Sequence, residues 1–74
     1  MGHIYKVTYT MNSEAKVLEF VSPIYYRMIN GKPELAELFR SEFDRHMEAA
    51  FGRVGMWRVA SIEIQSISYK GYLF

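Results

Sequence analysis

The sequence predicts an α+β fold: a small antiparallel β-sheet in the order β-β-α-β, with a possible fourth strand, and one α-helix packed across one face. The 74 residues are 50% hydrophobic and 23% charged, which indicates a single folded domain over 1–74 rather than a disordered chain. Apolar residues alternate with period two near both ends of the chain, as in half-buried strands. Between these segments they recur with the period of an amphipathic helix.

The first two strands are predicted to form a hairpin. Apolar and polar side chains alternate from His3 to Met11, and a segment rich in Val, Leu and Phe runs from Ala15 to Val21. Residues 12–14, Asn-Ser-Glu, favour a turn because Asn and Ser side chains hydrogen-bond to nearby backbone. Pro23 ends the second strand, since proline has no N–H to donate to a β-ladder.

The helix is predicted to run from Pro33 to Phe51. Proline suits the first turn of a helix, and Gly52 suits the position after its end. The segment from Ile24 to Ile29 is compatible with a third short strand, a helical turn or an apolar loop, and Asn30-Gly31 after it marks a turn. The predicted buried face of the helix consists of Leu35, Leu38, Phe39, Phe43, His46, Met47 and Ala50.

The last part of the chain, from Val54 onwards, is predicted to be strand. Its apolar positions change parity after Gln65-Ser66. Such a change indicates either a bulge within one long strand or a turn between two strands. We favour one long, bent strand, because Gln-Ser is a poor two-residue hairpin turn.

Composition excludes several classes of function. The formal net charge is +1, so a strong non-specific attraction to nucleic acid or to an anionic membrane is not expected. The chain contains no cysteine, which removes disulfides, thiolate zinc sites and cysteine nucleophiles. No nucleophile motif, glycine-rich phosphate loop or zinc-ligand spacing is present. We therefore expect a protein that is not an enzyme and has no catalytic residues, no cofactor and no metal.

The location expected from the sequence is the cytoplasm. No apolar stretch approaches the roughly 20 residues that a membrane-spanning helix needs. The first residues also lack the basic, apolar and small-residue pattern of a secretory signal.

One pair of residues has a spacing that suits chemistry. Glu42 and His46 are four residues apart on the predicted helix, so their side chains can meet. Such a pair can serve as a general base or, with His3, as a set of metal ligands. We favour a structural role, in which His46 packs in the core and Glu42 supplies one hydrogen bond.

An alternative function is binding of RNA or single-stranded nucleic acid. Aromatic and basic residues on the predicted strands resemble a base-stacking platform with phosphate contacts. Aromatic residues also favour strands for packing reasons alone. The residues concerned are Tyr5, Tyr9, Trp57, Tyr69 and Tyr72, with Lys6, Arg53, Arg58 and Lys70.

The preferred interpretation is a small non-enzymatic protein-interaction module. The apolar side chains exceed what one helix on one sheet can cover, and monomers rarely expose such a set as a contiguous patch. We expect a homodimer or a foreign protein partner, and an adaptor or an inhibitor that blocks a site on a larger protein. In size and element order the chain resembles the small accessory proteins with which viruses inhibit host machinery. The candidate partner-binding residues are Tyr25, Tyr26, Arg27, Met28, Trp57, Arg58, Tyr72 and Phe74.

Overall fold

The computed structural model describes residues 1–52 and 62–74. Within these residues the α+β class is confirmed, with one helix and five strands. The start of the strand predicted from Val54 lies outside the described residues. The elements are β1 (Gly2–Met11), β2 (Glu14–Ser22), β3 (Met28–Ile29), β4 (Lys32–Pro33), α1 (Ala36–Phe51) and β5 (Ile62–Leu73).

The main sheet has three antiparallel strands in the order β2-β1-β5, so β1 is central. Its register places Tyr5 opposite Phe20 on one side and opposite Tyr69 on the other. Tyr5, Val7 and Tyr9 alternate along β1 and are all buried on the face that carries α1. This is the period of two that the sequence shows.

Both predicted turns are present, and both use positive φ angles. Asn12 and Ser13 have φ of 53° and 68°, and they join β1 to β2 as a two-residue hairpin. Asn30 and Gly31, at 53° and 77°, join β3 to β4 in the same way. Two consecutive residues in this region of φ match the twist of antiparallel strands. The ambiguous segment from Ile24 therefore ends as a short strand.

Helix α1 begins three residues later than the sequence predicts. Pro33 pairs with Met28 in the small sheet, and the Glu34 N–H donates to the Arg27 carbonyl at 2.7 Å. These contacts hold the chain extended, so the first helical hydrogen bond runs from Phe39 N–H to the Leu35 carbonyl at 2.9 Å. The helix ends as predicted, at Gly52, whose N–H donates to the Glu48 carbonyl.

The buried face of α1 is narrower than predicted. Phe39, Phe43 and Met47 are buried, whereas Leu35 and Leu38 are about half exposed and Ala50 is exposed. Leu35 precedes the helix, and Leu38 lies about 100° around the axis from Phe39. Glu42 is buried on the core side of α1, the side of the helix on which its spacing from His46 places it.

Strand β5 is one long strand with two bulges, which confirms the interpretation of the parity change. The register with β1 shifts at two places, leaving Gln65 and Lys70 without a partner in β1. Ile64 pairs with Tyr9 and Ile67 with Val7. Both isoleucines therefore face the helix although three positions separate them.

The core lies between α1 and the face of the sheet that carries it. Aromatic rings dominate it, and several meet edge to face with centroids 5.0–5.6 Å apart, a favourable geometry for such pairs. No helix in the described part of the chain has the length and hydropathy to cross a membrane. The buried apolar residues are Tyr5, Val7, Tyr9, Phe20, Tyr26, Phe39, Phe43 and Met47.

Candidate functional site

One end of the molecule carries a cluster of surface aromatic rings, which we call the aromatic end. The His3 ring lies at its centre, with ring centroids 4.9 Å from Tyr72, 5.3 Å from Tyr25 and 5.8 Å from Tyr69. Tyr25 also meets Tyr69 edge to face at 5.4 Å, and Tyr72 meets Phe74 at 5.1 Å. His3 Nδ1 and the Tyr69 hydroxyl are hydrogen-bonded at 3.0 Å. The aromatic end consists of His3, Tyr25, Tyr69, Tyr72 and Phe74.

The bulge at Lys70 places two of these rings on the same face. In a regular strand, residues three apart point to opposite faces. Here Tyr69 pairs with Tyr5 and Tyr72 pairs with His3, with Lys70 as the extra residue. Gly71 beside it has a φ of 127°, a conformation that glycine adopts without the steric cost of a Cβ.

The rings of the aromatic end touch one another and remain accessible. The exposed fractions are 58% for Tyr25, 45% for Tyr72 and 95% for Phe74, and Tyr69 is also exposed. Contiguous exposed apolar surface is uncommon on monomeric proteins and marks interaction sites. Tyrosine in particular is enriched among the residues that dominate binding energy at interfaces.

The predicted partner-binding residues fall into different environments. Tyr25, Tyr72 and Phe74 come together in the aromatic end, while Arg27 is exposed and Met28 half-buried in the neighbouring loop and β3. Tyr26 is only 1% exposed, so its side chain is part of the core and is not available to a partner. The remaining two, Trp57 and Arg58, lie outside the described residues.

The sequence predicts other roles for His3 and Tyr69. It indicates His3 only as a metal ligand and Tyr69 only as part of a nucleic-acid platform. The usable signal was the spacing of Tyr69 and Tyr72 around Lys70-Gly71, where a bulge brings residues three apart onto one face. His3 carries no local signal, because its role depends on pairing with a strand at the other end of the chain.

A buried polar network lies behind the aromatic end. Glu42 is 4% exposed, and its Oε1 accepts hydrogen bonds from Ser22 Oγ at 2.7 Å and from the Tyr26 hydroxyl at 2.6 Å. Burial, followed by this hydrogen bond to Glu42, raises the pKa of Tyr26 to about 12. The tyrosine therefore remains a hydrogen-bond donor at neutral pH.

The hydroxyl of Tyr5 fastens the loop that carries Tyr25. It accepts a hydrogen bond from the Tyr26 backbone N–H at 2.6 Å and donates one to the Tyr26 carbonyl at 3.3 Å. Ser22 Oγ accepts from the Ile24 N–H at 3.0 Å. Side chains of β1 and β2 thus fix the loop backbone on both sides of Tyr25.

His46 lies at the margin of the core rather than at its centre. Its ring stacks on Phe20 with centroids 4.5 Å apart and planes at 21°, and about a third of its side chain is exposed. Burial lowers the pKa of His46, and the nearby Glu42 carboxylate opposes that shift. The predicted hydrogen bond between the two is absent, because His46 Nε2 lies 4.0 Å from Glu42 Oε2.

The second oxygen of Glu42 is less well satisfied than the first. Within the described residues, Oε2 has no hydrogen-bond partner. Arg45 Nη2 lies 3.6 Å from it, close enough for an ion pair. His3 belongs to the aromatic end, and no group of three His, Cys, Asp or Glu side chains among the described residues is arranged to hold a metal ion.

The aromatic residues predicted to stack on nucleic-acid bases are divided between core and surface. Tyr5 and Tyr9 are 0% and 1% exposed beneath α1, so neither ring can stack on a base. Lys6 lies on the opposite face of the sheet from Tyr5, since neighbouring residues of a strand alternate. Tyr69 and Tyr72 are accessible as members of the aromatic end.

Comparison with known proteins leaves the geometry as the basis for assigning a function. No family model, curated protein or solved structure matches the chain.

Proposed function

We propose that this protein is a small non-enzymatic interaction module that binds another protein through the aromatic end. It acts as an adaptor, or as an inhibitor that occupies and blocks a site on a larger protein. The observation that carries this proposal is the aromatic end itself, a set of exposed rings in mutual contact around His3.

The chemistry of the surface indicates what it binds. Tyrosine rings offer apolar area together with a hydroxyl, and they lose little side-chain entropy on binding. Two exposed cations flank the rings in the chain: Arg27 follows Tyr25 by two positions, and Lys70 lies between Tyr69 and Tyr72. We expect the partner to present an apolar groove with acidic residues at its rim, since complementary charge directs association and register.

Preorganisation supports the same proposal. The hydroxyls of Tyr5 and Ser22 hold the loop backbone beside Tyr25, and ring contacts hold the side chain against His3 and Tyr69. A surface already ordered before binding loses less conformational freedom when a partner docks. An exposed tyrosine on an unsupported loop would lack this advantage.

A cytoplasmic setting is part of the proposal. Small secreted domains commonly depend on disulfides for stability, and this chain has no cysteine. The aromatic core and the buried hydrogen bonds supply the stabilisation instead.

The proposal is tested by site-specific photo-cross-linking. A photoreactive phenylalanine analogue replaces Tyr72, or Val17 as the control, because Val17 is 56% exposed on the face of the sheet opposite α1. In nuclease-treated host lysate we expect the Tyr72 position to cross-link one protein that the Val17 position does not. With that protein purified, the double variant Tyr25→Ala, Tyr72→Ala should weaken binding at least tenfold, as for hot-spot aromatics.

Two results would contradict the proposal. One is cross-linking at the same proteins from both positions, which indicates non-specific contact. The other is cross-linking of the Tyr72 position to RNA in a parallel lysate without nuclease, with no protein cross-linked after nuclease treatment, which would favour the nucleic-acid alternative.

A further inference from the structure

The outer edge of β5 is a second feature with the properties of a binding site. β5 is 12 residues long and pairs with β1 along one side. No other strand among residues 1–52 and 62–74 pairs with its far side. An unpaired edge presents backbone N–H and C=O groups that another strand can use.

The two edges of the main sheet are protected to different extents. β2, at the opposite edge, carries Glu14, Lys16 and Glu19 among its nine residues. From Ile64 to Tyr69, β5 contains no charged residue and no proline. Charges and prolines are the usual means by which edge strands avoid pairing with other chains, and this part of β5 lacks them.

A groove beside this edge can receive side chains of an added strand. It has a volume of about 490 Å³ and lies between β5, the start of α1 and the β3–β4 hairpin. Ile64, Ile67 and Phe39 are among the residues that line it. A strand added to an edge gains affinity from backbone hydrogen bonds and specificity from pockets for alternate side chains.

We propose that β5 of a second copy of this chain pairs with this edge, antiparallel, about a two-fold axis near Ser66. The segment is complementary to itself, because Ile64 and Ile67 provide both the apolar wall of the groove and the side chains to fill the partner's groove. The charged residues at the two ends of the segment also favour this arrangement. Glu63 and Lys70 lie on opposite sides of Ser66 at similar separations, so antiparallel pairing brings the acidic end of one strand near the basic end of the other.

The pairing produces a continuous antiparallel sheet of six strands, since each copy contributes β2, β1 and β5. It uses the backbone edge of β5 and the groove beside it. Tyr25 and Tyr72, the rings substituted in the binding test, lie outside the segment from Ile64 to Tyr69, so loss of partner binding at the aromatic end and loss of dimerisation are separate results.

The test uses charge exchange at Gln65, which is exposed and has no partner in β1 because of the bulge. Wild type should show a sedimentation-equilibrium mass that rises towards twice 8.7 kDa from low to high micromolar concentration. Gln65→Lys and Gln65→Glu each place like charges together across the axis, so each should weaken dimerisation about fivefold. An equimolar mixture of the two variants should regain association at least as strong as wild type.

Ser41→Lys, an exposed change on α1, is the matched control and should associate like wild type. Far-UV circular dichroism checks that each variant is folded. Hydrogen exchange gives a second measurement, since the amides around Ser66 should be protected more at high protein concentration. A wild-type mass of one chain at every concentration would overturn the proposal, as would Gln65 variants that associate as wild type does.

Discussion

Tyr25 and Tyr26 are neighbours in the chain and lie in opposite environments. The Tyr26 ring packs against Tyr5 and Phe39, and its hydroxyl donates to the buried Glu42. Tyr25 is more than half exposed, and its ring contacts those of His3 and Tyr69. The same residue type therefore serves the core at one position and the surface at the next, and the difference is whether its hydroxyl is used inside the protein.

The largest loss of stability is expected for Tyr5→Ala, which removes a core residue that contacts Tyr26. The substitution removes a fully buried ring together with the hydroxyl that binds the Tyr26 backbone. We expect a loss of about 3–5 kcal/mol in the free energy of unfolding, measured by urea denaturation. Tyr25→Ala is the control for loss of a ring that is not buried. Equal losses of unfolding free energy in Tyr5→Ala and Tyr25→Ala would show that the core and the aromatic end do not differ in their contribution to stability.

The next largest effect is expected at Glu42, because its hydrogen bonds with Ser22 and Tyr26 connect α1 to the loop that carries Tyr25. Glu42→Ala leaves the hydroxyls of Ser22 and Tyr26 without their shared acceptor, which should cost about 1–3 kcal/mol. Glu42→Gln keeps a carbonyl oxygen in place of Oε1 and should retain most of the stability. Equal losses in the two variants would indicate that packing volume matters and the hydrogen bonds do not.

His46 should stabilise the fold through packing, and the size of this stabilisation should depend on pH. His46→Ala removes the ring that stacks on Phe20 and should destabilise by about 1 kcal/mol, at the low end for a buried group because the side chain is partly exposed. His46→Phe should recover most of that loss. A destabilised Phe variant would point to a polar role for the ring instead.

The pH dependence follows from the direction of the pKa shift of His46. Because burial lowers its pKa in the folded state, the unfolded chain binds more protons in the window between the folded pKa and the unfolded value of about 6.5. This contribution to stability is therefore fully present above about pH 6.5 and is lost as the pH falls towards the folded pKa. Thermal melts should show that wild type loses more stability than His46→Phe between about pH 7.5 and pH 5.5. Identical pH profiles would contradict the assignment.

The smallest effect on stability is expected at the surface. Tyr25→Ala should change the free energy of unfolding by about 0.5 kcal/mol or less, since its ring is largely exposed. The same variant should reduce cross-linking at Tyr72, because the two rings meet across His3. If Tyr25→Ala is strongly destabilised and still cross-links at Tyr72, Tyr25 serves the core and not the binding surface.

The sequence is sufficient for much of the fold and for part of the site. Period two predicts β1, the Asn-Ser and Asn-Gly pairs predict the turns, and the parity change at Gln65 predicts the bulge in β5. These are local signals, set by backbone geometry within a few residues. The sequence predicts the start of α1 three residues too early, because Pro33 pairs with β3, a contact that the local pattern does not reveal.

The environments of individual aromatic and charged residues could not be predicted in the same way. Nothing near Tyr25 and Tyr26 in the sequence says which ring enters the core, because that depends on the Tyr5 hydroxyl in another strand. Charged residues are seldom fully buried without a partner, and the spacing of Glu42 and His46 does not show which other groups surround the carboxylate. Glu42 is buried because Ser22 and Tyr26, which are 20 and 16 positions away in the sequence, donate hydrogen bonds to it.

The bulge at Lys70 also bears on how this surface can change over evolutionary time. Lys70 is the extra residue of this bulge, so without it Tyr69 can stay opposite Tyr5 and Tyr72 can stay opposite His3. Deletion of that one codon would place Tyr72 two positions after Tyr69, on the same face of a regular strand, and would leave the helix and its core sequence untouched. A lineage could therefore gain or lose the exposed cation beside the aromatic end by a single-codon insertion or deletion, and keep the rings themselves.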